Sequence, residues 1–133
     1  MQQILTRATM MFGVLSVALT ATLRAQHTHT APHGGEVIEV AEHHVEFKAD
    51  STGSISVWLL DEQQKALPGP SGASITLMGA DGSQVTIPLQ ADSASQRLVA
   101  RFDPQMFATF QAVVSLPIAG TRRNLRFRYP SQH

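Results

Sequence analysis

No cysteine occurs anywhere in the chain. That absence excludes a disulfide scaffold, a lipid-modified N-terminal cysteine, thiolate metal sites and a cysteine nucleophile. Aromatic residues make up only 6% of the sequence and the formal net charge is +0, so a base-stacking platform on a basic field is missing and nucleic-acid binding is not expected. Motifs of common enzyme sites are missing too: there is no His-Glu-x-x-His zinc helix, no Gly-x-Ser-x-Gly elbow and no phosphate-cradling glycine loop ending in Lys-Ser or Lys-Thr. A dispersed Ser/His/Asp site is recognised by geometry rather than by spacing. The residues themselves therefore point to a protein that is not an enzyme.

Long apolar runs are confined to the start. Arg7 followed by Thr9 to Leu23 has the form of a secretion signal, too short and too Thr/Ser-interrupted to span a bilayer comfortably. Cleavage is expected near Ala25, which makes 1–25 a signal peptide and places the mature protein in the periplasm. An uncleaved anchor is the alternative, but no stop-transfer cluster follows Leu23. No stable membrane span is expected after cleavage. Residues 26–33 (QHTHTAPH) lack apolar periodicity and read as a flexible histidine-containing leader. The remainder, 34–133, is enough for one domain with one modest core.

From Gly34 onward, short alternating runs are separated by turn residues, the pattern of strands rather than helices. Glu36 to Val40 and His44 to Lys48 come first, then Ile55-x-Val57-x-Leu59. Ile75-x-Leu77 and Val85-x-Ile87-x-Leu89 flank Asp81-Gly82, a hairpin turn in which glycine accepts positive φ without steric cost. Leu98 to Phe102, Ala112 to Leu116 and Leu125 to Tyr129 complete the set. Asp103-Pro104 starts the only helical turn. About 7–8 half-apolar strands must bury one face each against another sheet, so the expected fold is all-β, an immunoglobulin-like antiparallel sandwich, with a small closed barrel as the alternative. Trp58 falls on the face opposite Val57 and Leu59, and packing under a loop or sheet edge is its expected role.

Charge and histidine are unevenly placed. Acidic residues crowd the first half, while Arg122, Arg123, Arg126 and Arg128 crowd the last strand, where they guard an exposed edge or meet an acidic partner. Five of the 6 histidines lie between His27 and His44, beside Glu36, Glu39, Glu42 and Glu46. Imidazole and carboxylate are the ligands that Zn(II) and Cu(II) accept when thiolate is missing. With Ala41-Glu42 as a two-residue turn, Val40 faces His43, Glu39 faces His44 and Val37 faces Glu46. Glu39, His44 and Glu46 then share one side of the hairpin, and a register slip of one residue would move the whole set. His33 stands before Gly34-Gly35, where the backbone can turn sharply and swing the imidazole back over the hairpin; the plainer reading leaves it solvated. Met106, expected to be exposed, is a soft donor suited to Cu(I), but Met78 and Met106 alone do not make a methionine-rich site.

Pro32-His33-Gly34-Gly35, a short strand, then His44-Val45-Glu46-Phe47 and a further β-rich stretch resembles the small N-terminal periplasmic domain of adaptor subunits of heavy-metal efflux pumps, and related free-standing periplasmic proteins. The resemblance implies metal capture or delivery to an efflux complex, with His33, His44 and Glu46 as the positions that matter. Glu39 and His43 are the supporting candidates, and Zn(II) or copper, as Cu(II) or Cu(I), the candidate ion. A true adaptor's lipoyl-like domain, helical hairpin and barrel are missing, so such a chain is an accessory to an efflux-system or other envelope protein and does not itself bridge pump and channel. A non-metal interaction module of the envelope, with incidental histidines, is the competing expectation.

Overall fold

The computed structural model describes residues 31–131. The expected signal peptide, most of the leader, and His27 and His29 lie outside them. In chain order the strands are β1 (Glu36–Val40), β2 (His43–Ala49), β3 (Ser54–Leu60), β4 (Ala66–Leu67), β5 (Ser74–Gly79), β6 (Gln84–Pro88), β7 (Gln90–Asp92), β8 (Arg97–Arg101), β9 (Phe110–Ile118) and β10 (Thr121–Tyr129). All pairings are antiparallel. One sheet has the order β1-β2-β3-β8-β7, with β4 beside the end of β3, and the other has the order β10-β9-β5-β6. Among the described residues no helix is long and apolar enough to cross a membrane.

Alternation within each strand decides which side chains meet between the sheets. Val45 and Phe47 of β2, Ile55 and Val57 of β3 and Leu98 of β8 share one buried cluster with Ile75 and Leu77 of β5, Val114 and Leu116 of β9 and Phe127 of β10. Phe47 stacks on Phe127 at 5.0 Å between ring centroids and meets Phe110 edge-on at 6.4 Å, which sets β2 over β10 and β9. Burying each such side chain stabilises the fold by roughly 1.5–3 kcal/mol before entropy is counted. Asp103 carries the expected single turn, with Phe107 N–H donating to its carbonyl at 2.9 Å and Gln105 N–H to its Oδ1 at 2.9 Å. The two strands that no alternation signalled, β4 and β7, are short and are recruited by pairing to β3 and β8.

Two hairpin turns use residues in the left-handed region. Ala41 and Glu42 (φ 47° and 64°) join β1 to β2, and Ala119 and Gly120 (φ 50° and 80°) join β9 to β10. Positive φ at both central residues matches the twist of the flanking strands, and it costs a residue with a Cβ about 1 kcal/mol. Replacing Ala41-Glu42 by Asn-Gly is therefore expected to raise the melting temperature by roughly 4–8 °C. An unchanged melting temperature would show that the native pair carries no strain.

Aspartates close several other turns. Asp50 Oδ1 accepts from Thr52 N–H (2.9 Å) and Ser54 N–H (3.2 Å), Asp81 Oδ1 from Ser83 N–H (2.9 Å), and Asp92 Oδ2 from the Ser95 hydroxyl (2.7 Å). The Thr52 side chain, the Ser83 amide and the Ser95 hydroxyl hold the three carboxyls, respectively, below the ordinary aspartate range. Folded values below unfolded ones mean that this stabilisation is complete above about pH 4 and is lost as pH falls through the depressed folded values. A triple Asp→Asn variant at 50, 81 and 92 is expected to flatten the acid limb of the urea-midpoint profile. A limb of unchanged slope would assign acid sensitivity to other groups.

Candidate functional site

The outer face of the first sheet carries an unusual set for a surface: His44 is 6% exposed, Trp58 6% and Glu46 0%. Glu46, on β2, stands opposite Val37 on β1 and Trp58 on β3. A carboxyl taken wholly out of water needs hydrogen-bond donors, because its burial is otherwise costly. They come from the turn just before β1. Gly35 N–H donates to Glu46 Oε2 at 2.8 Å, His33 N–H to the same oxygen at 3.0 Å, and His33 Nδ1 lies 2.8 Å from Oε1. Since a carboxylate only accepts, it matches all three donors and fixes the proton of His33 on Nδ1.

Glycine makes this approach possible. Gly34, at φ +78°, has its N–H on the Ala31 carbonyl at 3.1 Å, which closes the turn. Gly35 comes so near β2 that an added Cβ would lie 2.3 Å from the Phe47 carbonyl oxygen. The turn brings the His33 ring flat onto Trp58, 4.0 Å between centroids and 2° between planes. Lys48 Nζ holds the His33 carbonyl at 3.1 Å. His33, its side chain still 36% exposed, is thus held by Glu46, Trp58 and Lys48.

Each candidate ligand has a definite place. The hairpin register is Val40↔His43, Glu39↔His44 and Val37↔Glu46, so Glu39, His44 and Glu46 lie on one side of it. His44 Nδ1 donates to the Asp61 carbonyl at 3.2 Å and His43 Nδ1 to the Ala41 carbonyl at 2.9 Å. His43 faces the other way, as strand alternation requires of a residue next to His44. His33 and Glu46 are joined directly, Nδ1 to Oε1 at 2.8 Å. Among the described residues no group of three or more His, Asp or Glu side chains stands where it could hold one ion. Alternate residues along one strand are about 7 Å apart, and Glu46 is drawn toward the main-chain amides of His33 and Gly35.

Beside His33 runs a groove of about 390 Å³ lined by Lys48, Asp50, Ser56, Trp58 and Arg97. Arg97 reaches across it, Nη1 donating to Ser56 Oγ at 2.9 Å, with Nε 3.6 Å from Asp92 Oδ2. The sequence reading missed Lys48 and the Trp58 stack. The signal was available in the pairing frame, where a lone carboxyl among apolar residues faces a tryptophan and needs donors from somewhere. Compared with known proteins, the chain matches no family model, no curated protein and no solved structure.

Proposed function

We propose that this chain is an exported, periplasmic metal-handling accessory protein, not an enzyme, that presents His33 to Zn(II) or copper and serves a heavy-metal efflux system or another envelope protein. Its scaffold is read as a sandwich of immunoglobulin-like type. The observation that carries the proposal is the 2.8 Å contact between His33 Nδ1 and the buried carboxyl of Glu46. A carboxylate behind an imidazole fixes its tautomer and orientation and leaves Nε2 as the coordinating atom, the arrangement that supports metal-ligating histidines. A lone fixed imidazole suits an ion that is passed on, with remaining ligands from a partner, the ion's own companions or the chain's other histidines. Imidazole ligation also implies binding that weakens below about pH 6, as ligands protonate.

Trp58, the 1 tryptophan of the chain, reports on the site because His33 lies on its ring. Cu(II) is expected to quench Trp58 emission saturably, and His33→Ala to abolish that phase. Equal quenching of both proteins discards His33 as a ligand. A second reading, a non-metal docking module, is favoured by the exposed Arg126 and Arg128 on edge strand β10, which line a groove with Glu36 and Gln111. Its mark is partner capture that is lost in Arg126→Glu/Arg128→Glu and indifferent to chelator.

A further inference from the structure

The groove beside His33 has an electrostatic character that bears on what form of metal it can take. Lys48 and Arg97 line it, and Asp50 is the acid that lines it with them. Asp50 Oδ1 accepts from the amides of Thr52 and Ser54, and Asp92 from the Ser95 hydroxyl and the Ala94 amide, with Arg97 Nε 3.6 Å from its Oδ2. The cations keep donors to spare. Lys48 Nζ makes one bond to the His33 carbonyl and Arg97 Nη1 one to Ser56, whereas an ammonium carries three N–H donors and a guanidinium five. A bare divalent cation entering this groove meets two positive charges against one lining carboxyl, Asp50, and a single oriented imidazole. A small anion meets donors on two sides, with Trp58 and Ser56 as its floor.

Resting on the metal reading above, we infer that the site takes a metal ion already wrapped in a small carboxylate chelator. His33 Nε2 then fills an open coordination position, while Lys48 and Arg97 bind the chelator's carboxylates. The chelator supplies the oxygen ligands that one imidazole does not. It also gives the cations a task that a bare-ion site would not tolerate. The step is ligand exchange only: a water on the metal leaves, the imidazole nitrogen takes its place, and no electron is transferred. Carboxylate recognition by Arg is geometrically specific and charge-assisted, whereas Lys acts as a point charge.

The test uses the full chain, Trp58 emission, and three probes: Cu(II) in a weakly coordinating buffer, the neutral Cu(II)–iminodiacetate complex and the anionic Cu(II)–nitrilotriacetate complex. The inference expects the anionic complex to bind about tenfold more tightly than the neutral one, with an advantage that shrinks as salt rises. Arg97→Gln is expected to remove most of that advantage and leave the neutral complex unchanged, whereas Lys48→Gln, which also frees the His33 carbonyl, is expected to weaken both complexes and the anionic one more. His33→Ala is expected to abolish binding of both. Bare Cu(II) binding more tightly than either complex, with the two Gln variants improving it, overturns the inference and leaves the metal reading standing. Failure of all three probes to quench Trp58 overturns both. Metal-free nitrilotriacetate that displaces the complex with equal affinity also overturns it, since the groove would then be an anion site in which the metal plays no part.

Discussion

Glu46→Ala is expected to lower stability by about 2–4 kcal/mol, and with it the melting temperature by roughly 10 °C or more. Three donors converge on this carboxyl, two of them main-chain amides, and the side chain is 0% exposed. Removing one partner of a buried hydrogen-bond set costs the desolvation of what remains, which exceeds the net worth of the bonds when intact. The loss has a ceiling, because the donors lie in a turn that can lift away and rehydrate. It then surrenders only what docked it, including the cover on Trp58. Two readouts follow: a lower urea midpoint, and Trp58 emission shifted to the red under native conditions. Glu46→Gln keeps the shape but sets an NH₂ group against a donor, and a smaller loss of about 1–2 kcal/mol is expected. If the alanine variant melts with the wild type, Glu46 does not clamp the turn, and the account of His33's orientation goes with it.

The hairpin of β1 and β2 could be read from sequence because its turn is only two residues long and is flanked by strict alternation. Once Ala41-Glu42 is taken as the turn, every pairing from Val40↔His43 to Val37↔Glu46 follows, and these are the observed partners. Asp81-Gly82 and the turn at Asp103 were legible for similar reasons, as local chemistry with few alternatives. What was not legible is what the carboxyl does. Alternation assigns Glu46 to a face but does not say that the face is covered, and the cover comes from residues 13 and 11 positions away in sequence, His33 and Gly35. The crowded His and Glu side chains take definite partners in the fold. Glu46 serves main-chain donors, His43 turns to its own hairpin's Ala41 carbonyl, and His33 is set against both a carboxyl and an aromatic ring. The glycine pair was read as freedom to bend, which holds for Gly34. At Gly35 the requirement is the lack of a side chain, and no sequence rule separates those two reasons.

That distinction makes the second large effect specific. Gly34→Ala meets nothing within 4 Å and faces only the cost of φ +78°, about 1 kcal/mol. Gly35→Ala sets a methyl group 2.3 Å from the Phe47 carbonyl oxygen, 3.0 Å from its carbonyl carbon and 3.1 Å from Glu46 Cγ. Two of those are main-chain atoms of a strand paired on both sides, so no rotamer change relieves the clash, and the turn itself must move. Moving it breaks the Gly35 bond to Glu46 and lifts His33 from Trp58, with an expected loss of about 2–4 kcal/mol. Because Gly35→Ala and Glu46→Ala release the same segment, their effects should not add. The double variant is expected to be little less stable than either single one, giving a coupling of about 1–3 kcal/mol. Cu(II) quenching of Trp58 should also fall in Gly35→Ala, although His33 and every other candidate ligand is still present. Full additivity of the two substitutions would mean that the glycine and the carboxyl support separate parts of the fold, and the turn would no longer be the unit that positions the imidazole.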